Sequence, residues 1–344
     1  MDVLTPVRAV GYAARVFSAD KSFVKNPILG SERLNRLGLH RMRVAAAAAL
    51  TRIRRRAMAS GLAPDRVADF ERDGFVALPD FLPADQFRRL SDEVLAAPLP
   101  ARERRQGQTV TRMIPLSAAL RDRLPTAMSV VDDRSLRSLV GYAAGRSGQP
   151  VHYVMTVIAE PGKGAADPQT AVHSDTFHAT AKFWLFLRDV GEDDGPFMYV
   201  PGSNRLTQKR LDWEYQQSIS ARADGRRHHG DGSLRALPSD LEAMGYPEPR
   251  RLPVAANTLV VADTFGFHAR AASARPTKRV QIYGHLRRNP FLPWNGVDVQ
   301  ALPGIRHRQL DLYLWWLDRH AQRRGKAPLW RDVGEVAAEA DASL

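Results

Sequence analysis

The chain contains no cysteine among its 344 residues. That absence removes disulfide scaffolds, cysteine zinc sites, iron–sulfur clusters and thiol nucleophiles, and it leaves the redox compartment open. Long apolar runs are missing as well. Residues 44–50, the longest candidate, are mostly alanine flanked by arginine, far short of the ~20 residues of a membrane-spanning helix. The start lacks the apolar stretch and small-residue cleavage site of a secretory leader, so a cytoplasmic protein is expected. No internal repeat is visible. Acidic residues are scarce in one place: residues 1–60 hold 12 Lys and Arg against 3 Asp and Glu, which places +9 of the net +13 there.

What is present suits a folded chain, with 44% hydrophobic and 25% charged residues, enough for one large domain with appendages. Residues 31–60 read as a helix with almost wholly positive charge. They could lie on an anionic membrane at the inner face, or pack on the chain's own domain through Leu34, Leu37 and Ile53, with a solvated basic face. The second reading is preferred. No nucleic-acid-binding motif accompanies the charge, so nucleic acid is not an expected partner, and the sequence does not set an oligomeric state.

From residue 67 the pattern changes. Gly74-Phe75-Val76 opens a short strand and residues 83–94 form an amphipathic helix. Short strands rich in valine, aromatics and threonine follow at 151–159, 181–187, 197–200, 258–262 and 279–286. Such spacing after a helical start argues for a mainly β, α+β fold of sandwich or jelly-roll type. Three segments are expected: a basic helical extension at 1–66, a jelly-roll domain at 67–300 and a C-terminal helical segment at 301–344. The domain carries an insertion at about 206–253, a polar stretch with Arg226, Arg227, His228 and His229 that suits a lid or binding loop. In the last segment, Leu312, Tyr313, Leu314, Trp315 and Trp316 read as core packing or a dimer face.

Chemistry enters at His173-Ser174-Asp175. Ligand-type residues two apart on an extended segment project to one side and can take adjacent coordination positions. Two imidazoles and one carboxylate on one face of an octahedron suit ferrous iron and leave positions for a chelating co-substrate and dioxygen, so a second histidine is required.

Downstream come Asp194-Gly195, Val200-Pro201-Gly202-Ser203, then His268 at the end of a strand and Arg279 eleven residues later. Together with Gly74-Phe75-Val76 and His173-x-Asp175, these resemble the phytanoyl-CoA dioxygenase family over roughly residues 71–290. Asn204 stands where that family commonly has histidine. The resemblance implies a cupin-like double-stranded β-helix and an iron(II) centre of His173, Asp175 and His268. It also implies 2-oxoglutarate and O2 as co-substrates. Arg279 is the implied partner of the co-substrate's distal carboxylate, for which its planar fork is suited; Lys278 and Arg275 are nearby competitors.

On the strand at 181–187, Lys182, Trp184 and Phe186 share a face. The resemblance places Trp184 beside the co-substrate, though a core tryptophan is equally consistent. Lys182 needs a carboxylate partner, which the co-substrate or the substrate would supply. Thr176 and His178 could line the mouth and meet substrate, or serve a local turn. The implied reaction is oxidation of an unactivated C–H bond coupled to decarboxylation of 2-oxoglutarate. Because related halogenases lack the carboxylate ligand, Asp175 favours hydroxylation, with desaturation, epimerisation and ring formation left open. The substrate is a small or lipid-linked molecule, with the basic segments favouring an anionic one. Two other readings fit parts of the sequence: a non-catalytic jelly roll that binds an anionic membrane or polyanion surface, and a different metal enzyme using the same triad.

Overall fold

Strand β10 (Thr277–Leu286), the last long strand before the C-terminal segment, shows how the layers arise, because its residues alternate in what they touch. Val280 and Ile282 join a core with Phe183, Leu185, Leu259 and Val261, and Tyr283 joins a second core with Trp184, Phe186, Val260 and Ala262. A strand with different neighbours on its two faces lies in a middle layer. In the computed structural model, residues 6–344 are described, except 227, 295–297 and 303; Arg227 of the expected insertion lies outside the described residues.

In chain order the strands are β1 (Phe75–Leu78), β2 (Leu99–Gln106), β3 (Thr109–Pro115), β4 (Val151–Ala159), β5 (Ala181–Phe186) and β6 (Phe197–Tyr199), followed by β7 (Arg250–Leu252), β8 (Leu259–Asp263), β9 (His268–Arg270), β10 (Thr277–Leu286) and β11 (Arg331–Val336). Eight form one sheet in the order β1-β8-β5-β10-β4-β3-β2-β11, and a second sheet has the order β7-β6-β9. Every pairing between these strands is antiparallel. Residues of both sheets, Trp184 and Tyr283 from the large one and Phe197 and Tyr199 from the small one, share the core between them. This is the expected α+β jelly roll.

The helices are α1 (Pro6–Ala14), α2 (Glu32–Arg36), α3 (Leu39–Met58), α4 (Pro64–Asp73), α5 (Ala84–Leu95), α6 (Pro125–Val131) and α7 (Arg134–Ala143), then α8 (Gln208–Ser220), α9 (Pro238–Met244) and α10 (Gln309–Arg323). Helices α4 to α7 cover the outer face of the large sheet through Phe70, Leu90, Val131 and Leu139. No described helix is long and apolar enough to cross a membrane.

The N-terminal segment departs from expectation in a physically informative way. The single helix expected over 31–60 is broken at Gly38, whose φ of 95° is open to glycine at little cost. Leu34, Leu37 and Ile53 do not supply the packing face; they are exposed. The buried stripe of α3 is His40, Arg43, Val44, Ala47, Thr51, Arg54 and Arg55.

Its arginines are buried because carbonyls and a carboxylate accept their protons. Arg43 donates to Val16 O, Ser18 O and Asp20 O at 2.7–3.0 Å. Arg54 donates to Gly145 O at 2.7 Å and Leu292 O at 2.8 Å. Arg55 donates to Tyr142 O at 3.0 Å and pairs with Asp263 at 2.7 Å. Much of the charge taken for a solvated face is therefore internal structure.

Two other segments differ from the sequence reading. The stretch at 206–253 is no open loop: α8 packs on α2 and α3, and Trp213, Leu234, Leu241 and Met244 form a core with Phe23 and Phe267. At the C-terminus only Leu314 of α10 is buried, while Leu312, Tyr313, Trp315 and Trp316 are exposed, so the aromatic run is not core. The same segment is not purely helical, since β11 pairs with β2 at the edge of the large sheet.

Replacing Arg55 by Met would strand the carboxylate of Asp263, which is fully buried. Removing one partner of a buried ion pair costs about 3–5 kcal/mol, so Arg55→Met is expected to lower the melting temperature sharply, whereas Arg52→Met, at an exposed position of the same helix, should leave it unchanged. Equal melting temperatures for the two variants would show that α3 is a loosely attached appendage.

Candidate metal centre

The turn 263–268 between β8 and β9 is held on several sides. Asp263 N–H donates to Gly74 O at 2.9 Å, and Asp263 O accepts the Tyr199 hydroxyl at 2.7 Å. Phe267 N–H donates to Ser203 Oγ at 2.8 Å, while Ser203 Oγ–H donates to Val200 O at 2.7 Å. A Cβ on Gly266 would stand 1.8 Å from the Tyr199 hydroxyl, so only glycine fits. The separate sequence motifs are thus one hydrogen-bonded assembly that fixes the residue after Phe267, namely His268.

His268 then pairs through its backbone with His173. The two exchange N–H···O bonds of 2.9 Å in both directions, which sets their rings side by side with centroids 4.5 Å apart. Asp175 N–H donates to Thr264 O at 2.9 Å, tying the third residue to the same turn. One ligand atom from each of His173, Asp175 and His268 lies within 4.8 Å of the others.

The rings are also oriented. His173 Nδ1 meets Ala171 O at 2.8 Å and His268 Nδ1 meets Gly266 O at 2.9 Å. A carbonyl only accepts, so each Nδ1 carries the proton and each Nε2 presents a lone pair. His268 Nε2 is buried without a hydrogen-bond partner among the described residues. The Nε2 atoms lie 3.6 and 3.7 Å from Asp175 Oδ1, too far for hydrogen bonds. Burial, then the neighbouring His268, holds His173 well below the ordinary histidine range. Burial brings His268 down to about 4, partly opposed by Asp175. Burial alone would raise the Asp175 carboxyl, but Lys182 and the two histidines hold it well below its ordinary value. Two neutral imidazoles and one carboxylate, with an orphaned lone pair among them, fit a divalent first-row metal.

Lys182 has a different partner from the one expected. Its Nζ lies 2.6 Å from Asp175 Oδ2, so the carboxylate that compensates it belongs to the triad itself. The contact fixes one oxygen of Asp175 and leaves Oδ1 facing the imidazoles, which makes Lys182 a positioning residue.

A cavity of about 270 Å³ adjoins the histidines, with Lys182, Trp184, Arg279, Gln281 and Tyr283 in its walls. Arg279, Gln281 and Tyr283 reach it from alternate positions of β10. Arg279 donates to Gly195 O of the Asp194-Gly195 turn; burial, then Arg270, lowers it to about 9. Its sequence competitors turn away: Arg275 pairs with Asp194 at 2.9 Å, and Lys278 with Asp341 at 2.7 Å. Trp184 packs on Phe197 at 4.6 Å in the core and also lines this cavity.

Thr176 lines a second cavity beside Asp175, of about 320 Å³. His178 does not join it; its Nδ1 meets Ala179 O, and its ring lies in a groove with Arg52, Arg55 and Arg56. The sequence reading missed Gln281, whose buried amide has no partner on either atom among the described residues, and Lys21, which donates to Asp175 O from the N-terminal segment. The strand period from Arg279 points to Gln281, whereas nothing local points to Lys21.

A family model described as phytanoyl-CoA dioxygenase (PhyH) matches residues 70–254. The chain belongs to the phytanoyl-CoA dioxygenase family. It is an iron(II)- and 2-oxoglutarate-dependent oxygenase that consumes dioxygen. No curated protein matches the chain. Among solved structures it is similar to the epimerase SnoN in complex with Fe3+, alpha ketoglutarate and nogalamycin RO, at 18% identity, 70% coverage of this chain, 90% of that one and a TM-score of 0.43. It is also similar to the carbocyclase SnoK from nogalamycin biosynthesis (18% identity, 80% and 98% coverage, TM-score 0.41). A third is HygX from Streptomyces hygroscopicus with nickel, 2-oxoglutarate and hygromycin B bound (14%, 71% and 94%, TM-score 0.38).

Within this dioxygenase, Ser203→Ala leaves the buried Phe267 N–H without an acceptor. The substitution is expected to cost about 1–3 kcal/mol of stability and to weaken metal affinity about tenfold, as loss of an outer partner does. Thermal melts and iron(II) titration read the two effects; unchanged metal affinity would mean that Ser203 holds the turn without orienting His268.

Proposed function

We propose that this dioxygenase hydroxylates an unactivated C–H bond of a small or lipid-linked anionic molecule, with His173, Asp175 and His268 as the iron ligands and Arg279 as the anchor of 2-oxoglutarate. The observation that carries this reading is the meeting of two outward-facing imidazole lone pairs and Asp175 Oδ1 beside a cavity with a buried arginine. When bound, iron(II) with 2-oxoglutarate supplies the oxidant: one oxygen atom of O2 enters the substrate C–H bond, and the other enters the succinate formed with release of carbon dioxide.

The chain's own residues bind, orient and exclude water. Arg279 meets the distal carboxylate of 2-oxoglutarate with a two-pronged donor in a low-dielectric wall, where such a pair is strong. Trp184 and Tyr283 give the cavity apolar walls, and Gln281 offers a carboxylamide to a polar group of the co-substrate. Lys182 keeps Asp175 ionised and turned. The carboxylate ligand supports hydroxylation over halogenation, since Asp175 occupies the position that a halide would need.

Asp175→Ala and His268→Ala are expected to abolish stoichiometric iron(II) binding and succinate formation; His268→Ala should keep the melting temperature within a few degrees, whereas Asp175→Ala should lower it because Lys182 loses its carboxylate. Retained turnover in either would sink the triad. Arg279→Lys keeps the charge and loses the fork, so apparent 2-oxoglutarate affinity should fall about tenfold or more, with Arg275→Lys unaffected. The reverse pattern would move the anchor to Arg275.

A further inference from the structure

The second cavity at the triad draws its polar lining from well-separated parts of the chain. Lys21 comes from the segment before α2, Asp175 and Thr176 from the triad loop, Lys182 from β5, and His285 and Arg287 from the end of β10. Lys182 lines both cavities and so stands between them.

Its charges do not balance. Lys182 pairs with Asp175. Lys21 donates only to the backbone oxygen of Asp175, and Arg287 to the backbone oxygen of Ala19. Among the described residues neither Lys21 nor Arg287 has a carboxylate within ion-pair distance; Asp175 and Asp20 act on them only at longer range. Iron(II), Asp175, dianionic 2-oxoglutarate and Arg279 together carry no net formal charge. Lys21, Lys182 and Arg287 therefore remain as an excess of positive charge around the loaded centre. Burying cations without counter-charge is costly.

Neutral hydrogen-bonding capacity is spare here too. Thr176 Oγ, at 1% residue exposure, and His285 Nδ1 are both buried without hydrogen-bond partners among the described residues. Lys21 and Arg287, two cations without a carboxylate partner among the described residues, together with the Thr176 hydroxyl exceed what the two oxygens and single charge of a carboxylate can use. They match the three oxygens and double charge of a phosphate monoester.

Resting on the oxygenase reading above, we infer that this cavity receives the substrate, and that the substrate carries a phosphate monoester held by Lys21, Arg287 and Thr176 beside Asp175. The phosphate fixes one end of the molecule and leaves the C–H bond to be oxidised next to the triad. A soluble phosphorylated metabolite and a lipid with a terminal phosphate share this chemistry.

Inorganic phosphate is the probe. It is titrated calorimetrically, at low ionic strength, into the full-length protein loaded with nickel(II) and saturating 2-oxoglutarate, which fill the centre without turnover. Saturable binding of one equivalent is expected, weakened about tenfold or more in Lys21→Met and in Arg287→Met and largely kept in Arg287→Lys. Melting curves verify that each variant is folded. Absence of saturable binding, insensitivity to both methionine substitutions, or acetate binding as tightly as phosphate would overturn the inference.

Glycerol 3-phosphate competing at the same residues identifies a soluble ligand. Capture by phosphatidic-acid vesicles alone, lost in the same variants, identifies a lipid phosphate. Succinate formation by the wild-type protein without substrate is measured separately. Turnover without phosphate binding removes this inference alone, and phosphate binding without turnover removes the oxygenase reading.

Discussion

The carboxylate of Asp263 is the constraint on which the rest of the molecule depends. It is fully buried, and Arg55 and two backbone N–H groups, those of Thr180 and Phe265, compensate it. Burial raises its pKa and Arg55 opposes the rise, so the charged form relies on α3 staying in place. The backbone of the same residue joins Gly74 and Tyr199. One residue therefore ties the N-terminal helix, the first strand, the small sheet and the loop after the triad to the turn that presents His268. Low-dielectric surroundings make such a junction strong when every partner is present and costly when one is lost.

The parts legible in the sequence were those with a local period or a local spacing. Strands β4, β5 and β10 alternate or run apolar over their whole length, and their expected limits fall within two residues of the observed ones. His173 and Asp175 share a two-residue spacing, and the glycine and serine motifs resemble a family because each meets a steric or hydrogen-bonding demand, as Gly266 against Tyr199 does.

Illegible parts were those where charge is buried. Residues 99–106, with Arg102, Glu103, Arg104 and Arg105, were not among the expected strands, yet they form β2. Glu103 faces Arg112 across the hairpin with both side chains fully buried at 2.6 Å. Arg112 also donates to the carbonyls of Ala337 and Ala340. In the segment 31–60, Leu34, Leu37 and Ile53 were expected to pack and the arginines to face solvent, but Arg54 and Arg55 point inward and Ile53 outward. A guanidinium offers five donors, so a run of backbone carbonyls can hold it inside a protein without any carboxylate, and composition gives no sign of that.

A division of labour between scaffold and attachments follows from where the two cavities draw their walls. The cavity with Arg279, Gln281 and Trp184 is built largely from strands, whose hydrogen-bonded register fixes each side chain. Its expected occupant, 2-oxoglutarate, is the part of the chemistry common to the family. The second cavity depends on Lys21, which arrives from outside the jelly roll, and on Arg287, which contacts the N-terminal segment at Ala19. Connecting and appended segments vary without disturbing a sheet, so they are where substrate recognition can change while the metal centre is kept. The extra arginines of residues 1–60 serve that arrangement twice. Arg43, by binding the carbonyls of Val16, Ser18 and Asp20, folds the segment back so that Lys21 reaches Asp175, while Arg55 anchors the same helix to the turn that carries His268.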